Sequence, residues 1–123
     1  MQVLGKRPLV ETRPVEVVLT GASTEIARSI GNGARVVPAV GEDTWAIAGS
    51  QERNVQVIVV DVDRYGLQLV RDLHTVFPSL RIVALTNDPR RLAQAVHAGA
   101  AVAVPRSTPP ADVAKLIRRL TRR

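Results

Sequence analysis

The sequence predicts an α/β domain built on a five-stranded parallel sheet with helices on both faces. Three observations lead there. Short runs rich in Val and Ile recur along the chain, helical patterns separate them, and the runs are apolar at nearly every position rather than at every second one. Continuous apolar runs mark strands covered on both faces, as parallel sheets require. A chain of 123 residues suits one domain with interior enough for its own core. Hydrophobic residues make up 46% but aromatics only 2%, so that core has to be assembled from Val, Leu, Ile and Ala.

Residues 1–14, with Pro8 and Pro14 and no periodic pattern, read as an extension. Strands are expected at 15–20 (VEVVLT), 34–39 (ARVVPA), 55–61 (VQVIVVD), 81–86 (RIVALT) and 101–104 (AVAV). Helices are expected near 23–31, 42–52, 66–77, 89–98 and 110–121. Ser23 is placed to cap the first helix, and Glu42 or Asp43 to open the second. In the third, Leu67, Val70, Leu73 and Phe77 form one apolar stripe. The fourth has Asp88 before Pro89 at its start and Gly99 just past its end. In the fifth, Val113, Leu116, Ile117 and Leu120 fall at i, i+3, i+4, i+7. The domain therefore spans 15–121, and 122–123 begin a tail or linker. Right-handed crossovers close the sheet.

Composition excludes several classes of function. Without cysteine there are no disulfides, no thiolate chemistry and no Cys-ligated zinc, which fits a reducing cytoplasm. The opening MQVLGKRPLVETRP lacks a long apolar run, so neither a leader nor a membrane span is read there. The net charge is +6, with Arg118, Arg119, Arg122 and Arg123 crowding the end and Arg90 and Arg91 forming a second pair. A basic end suits nucleic acid or an acidic surface. Here no aromatic interleaves as a base-stacking surface needs, so a solvated helix end complementing the helix dipole is the favoured reading.

The segments GLQLVRDLHTVFPSLRIVALTNDP (66–89) and AVHAGAAVAVPRSTPPADVAKLIRRL (95–120) resemble the second half of the chemotaxis-type receiver domain of two-component response regulators. The resemblance runs over roughly residues 15–121, specific in its second half and matched in its first mainly by layout. It implies the flavodoxin-like, doubly wound sheet in order 2-1-3-4-5. It also implies a pocket: Asp61 matches the phosphoacceptor at the end of the third strand, Thr86 the hydroxyl that reads the phosphoryl group, and Arg106 stands where the family has a lysine. The acidic pair that holds magnesium in the family is matched by Thr20 and Gly21, and the aromatic switch by Ala103. The family's Met-Pro loop is shortened to Val62, Asp63, Arg64 and Tyr65.

Magnesium asks for near-octahedral oxygens at about 2.0–2.1 Å, usually with one or two carboxylates. Asp61 is the one carboxylate the fold would place there, with Asp63 two residues further on in the short loop. Phosphoryl transfer depends on positioning and charge neutralisation, so without the ion its main term is gone. The expectation is a degenerate, phosphorylation-independent receiver with no cofactor, no metal and no catalysis. A plain role for Asp61 stands beside this: pairing with Arg106, or accepting bonds from nearby N–H groups and Thr86. Thr86 is equally readable as a strand-end hydroxyl satisfying local backbone. His74 and His97 read as surface or packed histidines, Trp45 as packing of the second helix, and GNG at 31–33 as a connecting loop.

Without its chemistry such a domain is a docking surface. In the family, the fourth helix, fifth strand and fifth helix make dimers and meet output partners. Here that face would carry Arg90, Arg91, Gln94, His97, Lys115, Arg118 and Arg119, engaging a protein partner, an attached output domain or a second copy. The ending RRLTRR fits a stand-alone domain or the first part of a longer chain, such as the ParA-like ATPases of pilus-assembly localisation (the TadZ/CpaE type). Two alternatives are a phosphoacceptor using Asp61 in an altered pocket, and a nucleic-acid binder using the basic end.

Overall fold

A computed structural model describes residues 14–22 and 24–121. The expected extension up to residue 13, the Ser23 cap and the terminal Arg122 and Arg123 lie outside the described residues. Five parallel strands form one sheet in the order β2-β1-β3-β4-β5: β1 Glu16–Thr20, β2 Arg35–Ala39, β3 Val55–Asp61, β4 Arg81–Thr86 and β5 Val102–Pro105. The connecting helices are α1 Thr24–Ile30, α2 Asp43–Ala48, α3 Leu67–Val76, α4 Pro89–Ala98 and α5 Pro110–Leu120. A 3₁₀ turn at Gly31–Gly33 follows α1, and a single helical turn, Val62–Tyr65, follows β3. The class, order and strand positions agree with the sequence reading.

Alternation along each strand sorts the side chains onto two faces. Val18, Ile58, Val60, Ile82 and Ala84 pack with Val70, Leu73, Ala95 and Ala98 beneath α2, α3 and α4. Val17, Leu19, Val57, Val59, Val83 and Leu85 pack with Ile26, Ile30, Val113 and Ile117 beneath α1 and α5. The apolar stripes of α3 and α5 thus reach opposite cores, and β3, buried on both sides, carries both. Trp45 packs α2 against Phe77 at the end of α3, their ring centroids 5.9 Å apart.

Two details of the helices differ from expectation. α2 stops at Ala48 rather than 52, because Ser50 N–H bonds back to the Ile47 carbonyl and Arg53 N–H to Ser50. Neither Glu42 nor Asp43 caps it with a side chain: Asp43 N–H and Thr44 N–H donate to the Val40 and Gly41 carbonyls, so a preceding turn already supplies acceptors. At α4 the expectation holds. Pro89 is the first helical residue, and the Asp88 carboxylate accepts the Arg90 N–H at 3.0 Å. Gly99 closes that helix at φ +128, and a Cβ there would run into His74, which lies over it.

At the amino edge of the sheet Glu16 is buried, 4% exposed. Arg53 Nη1 donates to both its carboxylate oxygens at 3.1 and 3.2 Å, and Arg35 Nη1 stands 3.6 Å away. This cluster lies at the opposite end of the strands from the residues that the resemblance singles out.

Candidate functional site

The carboxyl ends of the strands gather most of the residues that the sequence reading named, but onto two sides of the sheet. Asp61 continues the alternation of Val57 and Val59 and turns toward α1 and α5. There it lines a cleft of about 460 Å³ with Gly21, Ala22, Leu85, Arg106 and Ser107. Thr86 continues the alternation of Ile82 and Ala84 and turns toward the opposite core. A Thr86–Asp61 hydrogen bond, one of the plain roles considered for the aspartate, is therefore not made.

Asp63 takes the threonine instead. The strand ends at Asp61, whose side chain accepts the Asp63 N–H at 3.1 Å and so caps the helical turn 62–65. Gly66, at φ +87, ends the turn with its N–H on the Val62 carbonyl. A helical turn, unlike an extended chain, brings Asp63 back over the end of β4. There Asp63 Oδ1 accepts the Thr86 hydroxyl at 2.7 Å and Arg91 Nη1 at 2.9 Å, while Oδ2 accepts the Asn87 N–H at 2.7 Å. Thr86 Oγ1 in turn accepts the Asp88 N–H at 3.0 Å.

Arg106 spans the two sides. Its guanidinium stands 3.7 Å from Asp61 Oδ2 and 3.8 Å from Asp63 Oδ2, a cation facing both carboxylates. The Asp61 side chain is 7% exposed and that of Arg106 44%. Asp63, Asp61 and Asp88 are thus matched by Arg106, Arg91 and Arg90 in one ionic network. Among the described residues, no group of three or more His, Asp or Glu is placed to hold a metal ion.

The acid-free end of β1 is shaped by its neighbours. Thr20 is fully buried and bonds Thr44 of α2 at 2.9 Å between hydroxyls. It does not reach the cleft, which corrects its expected place in the pocket: it shares a face with Val18, not with Asp61. Gly21, at φ +75, does line the cleft, and a Cβ on it would lie 2.6 Å from Tyr65 Cε2 and 3.4 Å from Asp61 Cβ. The Tyr65 ring thus covers the position from which a second acid would project. The Tyr65 hydroxyl is buried without a hydrogen-bond partner, and the Arg64 guanidinium lies over the ring at 5.6 Å.

The expected docking face is divided. Arg90 is exposed at the start of α4, and Lys115, Arg118 and Arg119 are exposed along α5. Arg91 is drawn inward onto Asp63. Gln94 and His97 border a groove between α3 and α4 that Leu67, Arg71 and Ala93 complete. Ala103, expected from the resemblance as the switch equivalent, is half-buried in β5 and packs toward the core beneath α4.

Hydrogen bonds from the Thr86 hydroxyl and the Asn87 N–H, with Arg91 alongside, hold the Asp63 carboxyl below its ordinary value of 3.8, against a smaller opposing effect of burial. A lowered folded-state value means that Asp63 stabilises the fold at pH above about 3.8 and that this contribution fades as pH falls through the lower folded value. The ¹³C carboxyl resonance of Asp63 is expected to titrate with a midpoint below 3.8. A midpoint at or above that value would show that these bonds do not persist in solution.

No protein-family model matches the chain, and no curated protein matches it in sequence. Among solved structures it is similar to the BeF3-activated receiver domain of DrrB, from Thermotoga maritima, at 20% identity and a TM-score of 0.73 over 91% of this chain and 100% of that one. It is similar to a CheY-like protein, TadZ, from Pseudomonas aeruginosa, at 24% identity and a TM-score of 0.69 over 91% and 96%. A pilus assembly-related protein from Burkholderia pseudomallei is similar at 19% identity and a TM-score of 0.65 over 87% and 88%. The fold is that of a response-regulator receiver domain.

Proposed function

We propose that this receiver-fold chain is an interaction module that works without phosphorylation, with Asp61 kept as a structural carboxylate. One observation carries the reading: the Arg106 guanidinium stands 3.7 Å from Asp61 and 3.8 Å from Asp63, so a cation of the chain already faces both carboxylates. A magnesium ion there would have to displace a tethered cation and find further oxygens next to the Tyr65 ring. Phosphoryl transfer without that charge neutralisation lacks its principal source of rate.

The module then acts through its outer surface. The exposed Arg90, Lys115, Arg118 and Arg119 suit a protein partner or an attached output domain with acidic groups, and pairing of two copies across α4, β5 and α5 is the geometry we favour for a dimer. The likeness to TadZ and to a pilus assembly-related protein supports reading this as a regulatory or localisation role inside a larger assembly. No helix among the described residues is long and apolar enough to cross a membrane.

Incubation with acetyl phosphate and Mg²⁺, followed by intact-mass measurement, is expected to leave the wild-type mass unchanged, like that of Asp61→Asn. A phosphoryl adduct on the wild type that Asp61→Asn lacks would overturn the proposal and leave a phosphoacceptor with an altered pocket.

A further inference from the structure

The two edges of the sheet are β2 and β5, and an edge strand presents unpaired N–H and C=O groups to any chain that can lie alongside it. Among the described residues β2 pairs with β1 alone. Arg35 N–H donates to the Val15 carbonyl at 2.8 Å, and the register then runs in step from Arg35 to Ala39. In a parallel ladder alternate residues address a given neighbour, so the backbone groups of Arg35, Val37 and Ala39 face β1. Those of Val36 and residue 38 therefore face outward. From Val36 to Val40 the chain reads VVPAV, without a charge. The one charge of the strand, Arg35, lies at its start beside Glu16, 3.6 Å away. Val36 and Val37 are half-buried and Val40 is 60% exposed, so the edge is apolar as well as unpaired. Such a run suits strand pairing in every respect but one. Pro38 occupies an outward position, is exposed, and carries a ring carbon where a donor would point.

We infer that the outer edge of β2 is a strand-docking surface for a second copy of this chain, and that Pro38 keeps it closed. A copy is the occupant the geometry favours, because a two-fold axis beside the edge sets the same uncharged run antiparallel against itself and needs no other complementary surface. Pro38 opposes that contact twice, once from each copy. Each ring removes an N–H from the new ladder and pushes its Cδ toward the carbonyl that would have accepted the bond. Within the fold the proline costs little, since the nitrogen of residue 38 faces away from β1. Position 38 thus acts on contacts between chains and not on the sheet it belongs to. The face built by α4, β5 and α5 lies at the other edge, and nothing here depends on whether Asp61 is phosphorylated, so this inference and the proposed function fail separately.

Pro38→Val restores the donor and removes the ring. The variant is expected to keep its native thermal transition, while its weight-average mass by light scattering reaches about twice that of wild type or more at matched concentration in the micromolar-to-millimolar range. Adding Val36→Pro returns a proline to the other outward position of the same edge, and the mass should fall back to that of wild type. A Pro38→Val mass equal to wild type at every concentration, or a raised mass that Val36→Pro leaves unchanged, would overturn the inference. If either variant loses its thermal transition, amide exchange in the wild type decides. The Val36 N–H, open to water, must exchange at least roughly tenfold faster than that of Val37, which is turned to β1. Equal protection of the two valines would mean that the outer edge is already paired, and the idea fails.

Discussion

Ile58→Ala is expected to lower the free energy of unfolding toward the upper end of the about 2–5 kcal/mol that buried Ile truncations cost. Ile58 is fully buried at the middle of β3, level with Val18 of β1 and Ile82 of β4. The cavity opens between strands fixed by ladders on both sides, and its walls are β-branched side chains with little rotamer freedom. Neither the backbone nor the neighbours can readily fill it. Against a total stability of about 5–15 kcal/mol, a single truncation here removes a large share. Urea unfolding gives the measure, with Val76→Ala, 56% exposed, as the surface control expected within about 0.5 kcal/mol of wild type. A loss at Ile58 under about 1 kcal/mol would mean that this core relaxes far more than its packing implies.

The second large effect concerns the end of β1. Gly21→Asp, which would put a carboxylate there, is expected to destabilise the fold by about 2–4 kcal/mol. A non-glycine residue at φ +75 carries a backbone cost of its own, and the added Cβ would stand 2.6 Å from Tyr65 Cε2. Combining it with Tyr65→Ala should cost less than the sum of the two single changes, because the ring that obstructs the new side chain is gone. Additive losses would show that the ring and position 21 do not compete. Thermal melts of the two singles and the double settle it.

Much of the fold was legible in the sequence because the strands are unusually plain. VQVIVVD and RIVALT have few polar interruptions, so a doubly covered sheet is the one arrangement that hides them. Asp88-Pro89 and Gly99 delimited α4 because capping chemistry is local. The candidate site was less legible, and Asp63 shows why. Strand alternation cannot place its side chain, because the strand ends at Asp61, one residue beyond Val60, and a helical turn follows. The signal was present in the same letters: an Asp before a short segment closed by Gly66 is a helix cap at one end and a left-handed stop at the other. Thr20 was placed in the pocket by alignment with a family pattern, whereas its shared face with Val18 already pointed it toward α2. Tyr65 had no sequence signal, since its role depends on a contact with Gly21 across the fold.

The ion cluster at the other end of the sheet bears on how the strands find their places. Val17, Val18 and Leu19 would lie almost as comfortably one step up or down against either neighbour, as they are apolar and both flanking strands are too. Glu16 removes that freedom. Level with Arg35 and clamped by Arg53, it works as an alignment key: sliding β1 one position into the sheet would strand a carboxylate in hydrocarbon, and one position outward would part it from its guanidinium partners. One charged letter at the head of the strand thereby fixes which of several near-equal pairings the chain can keep.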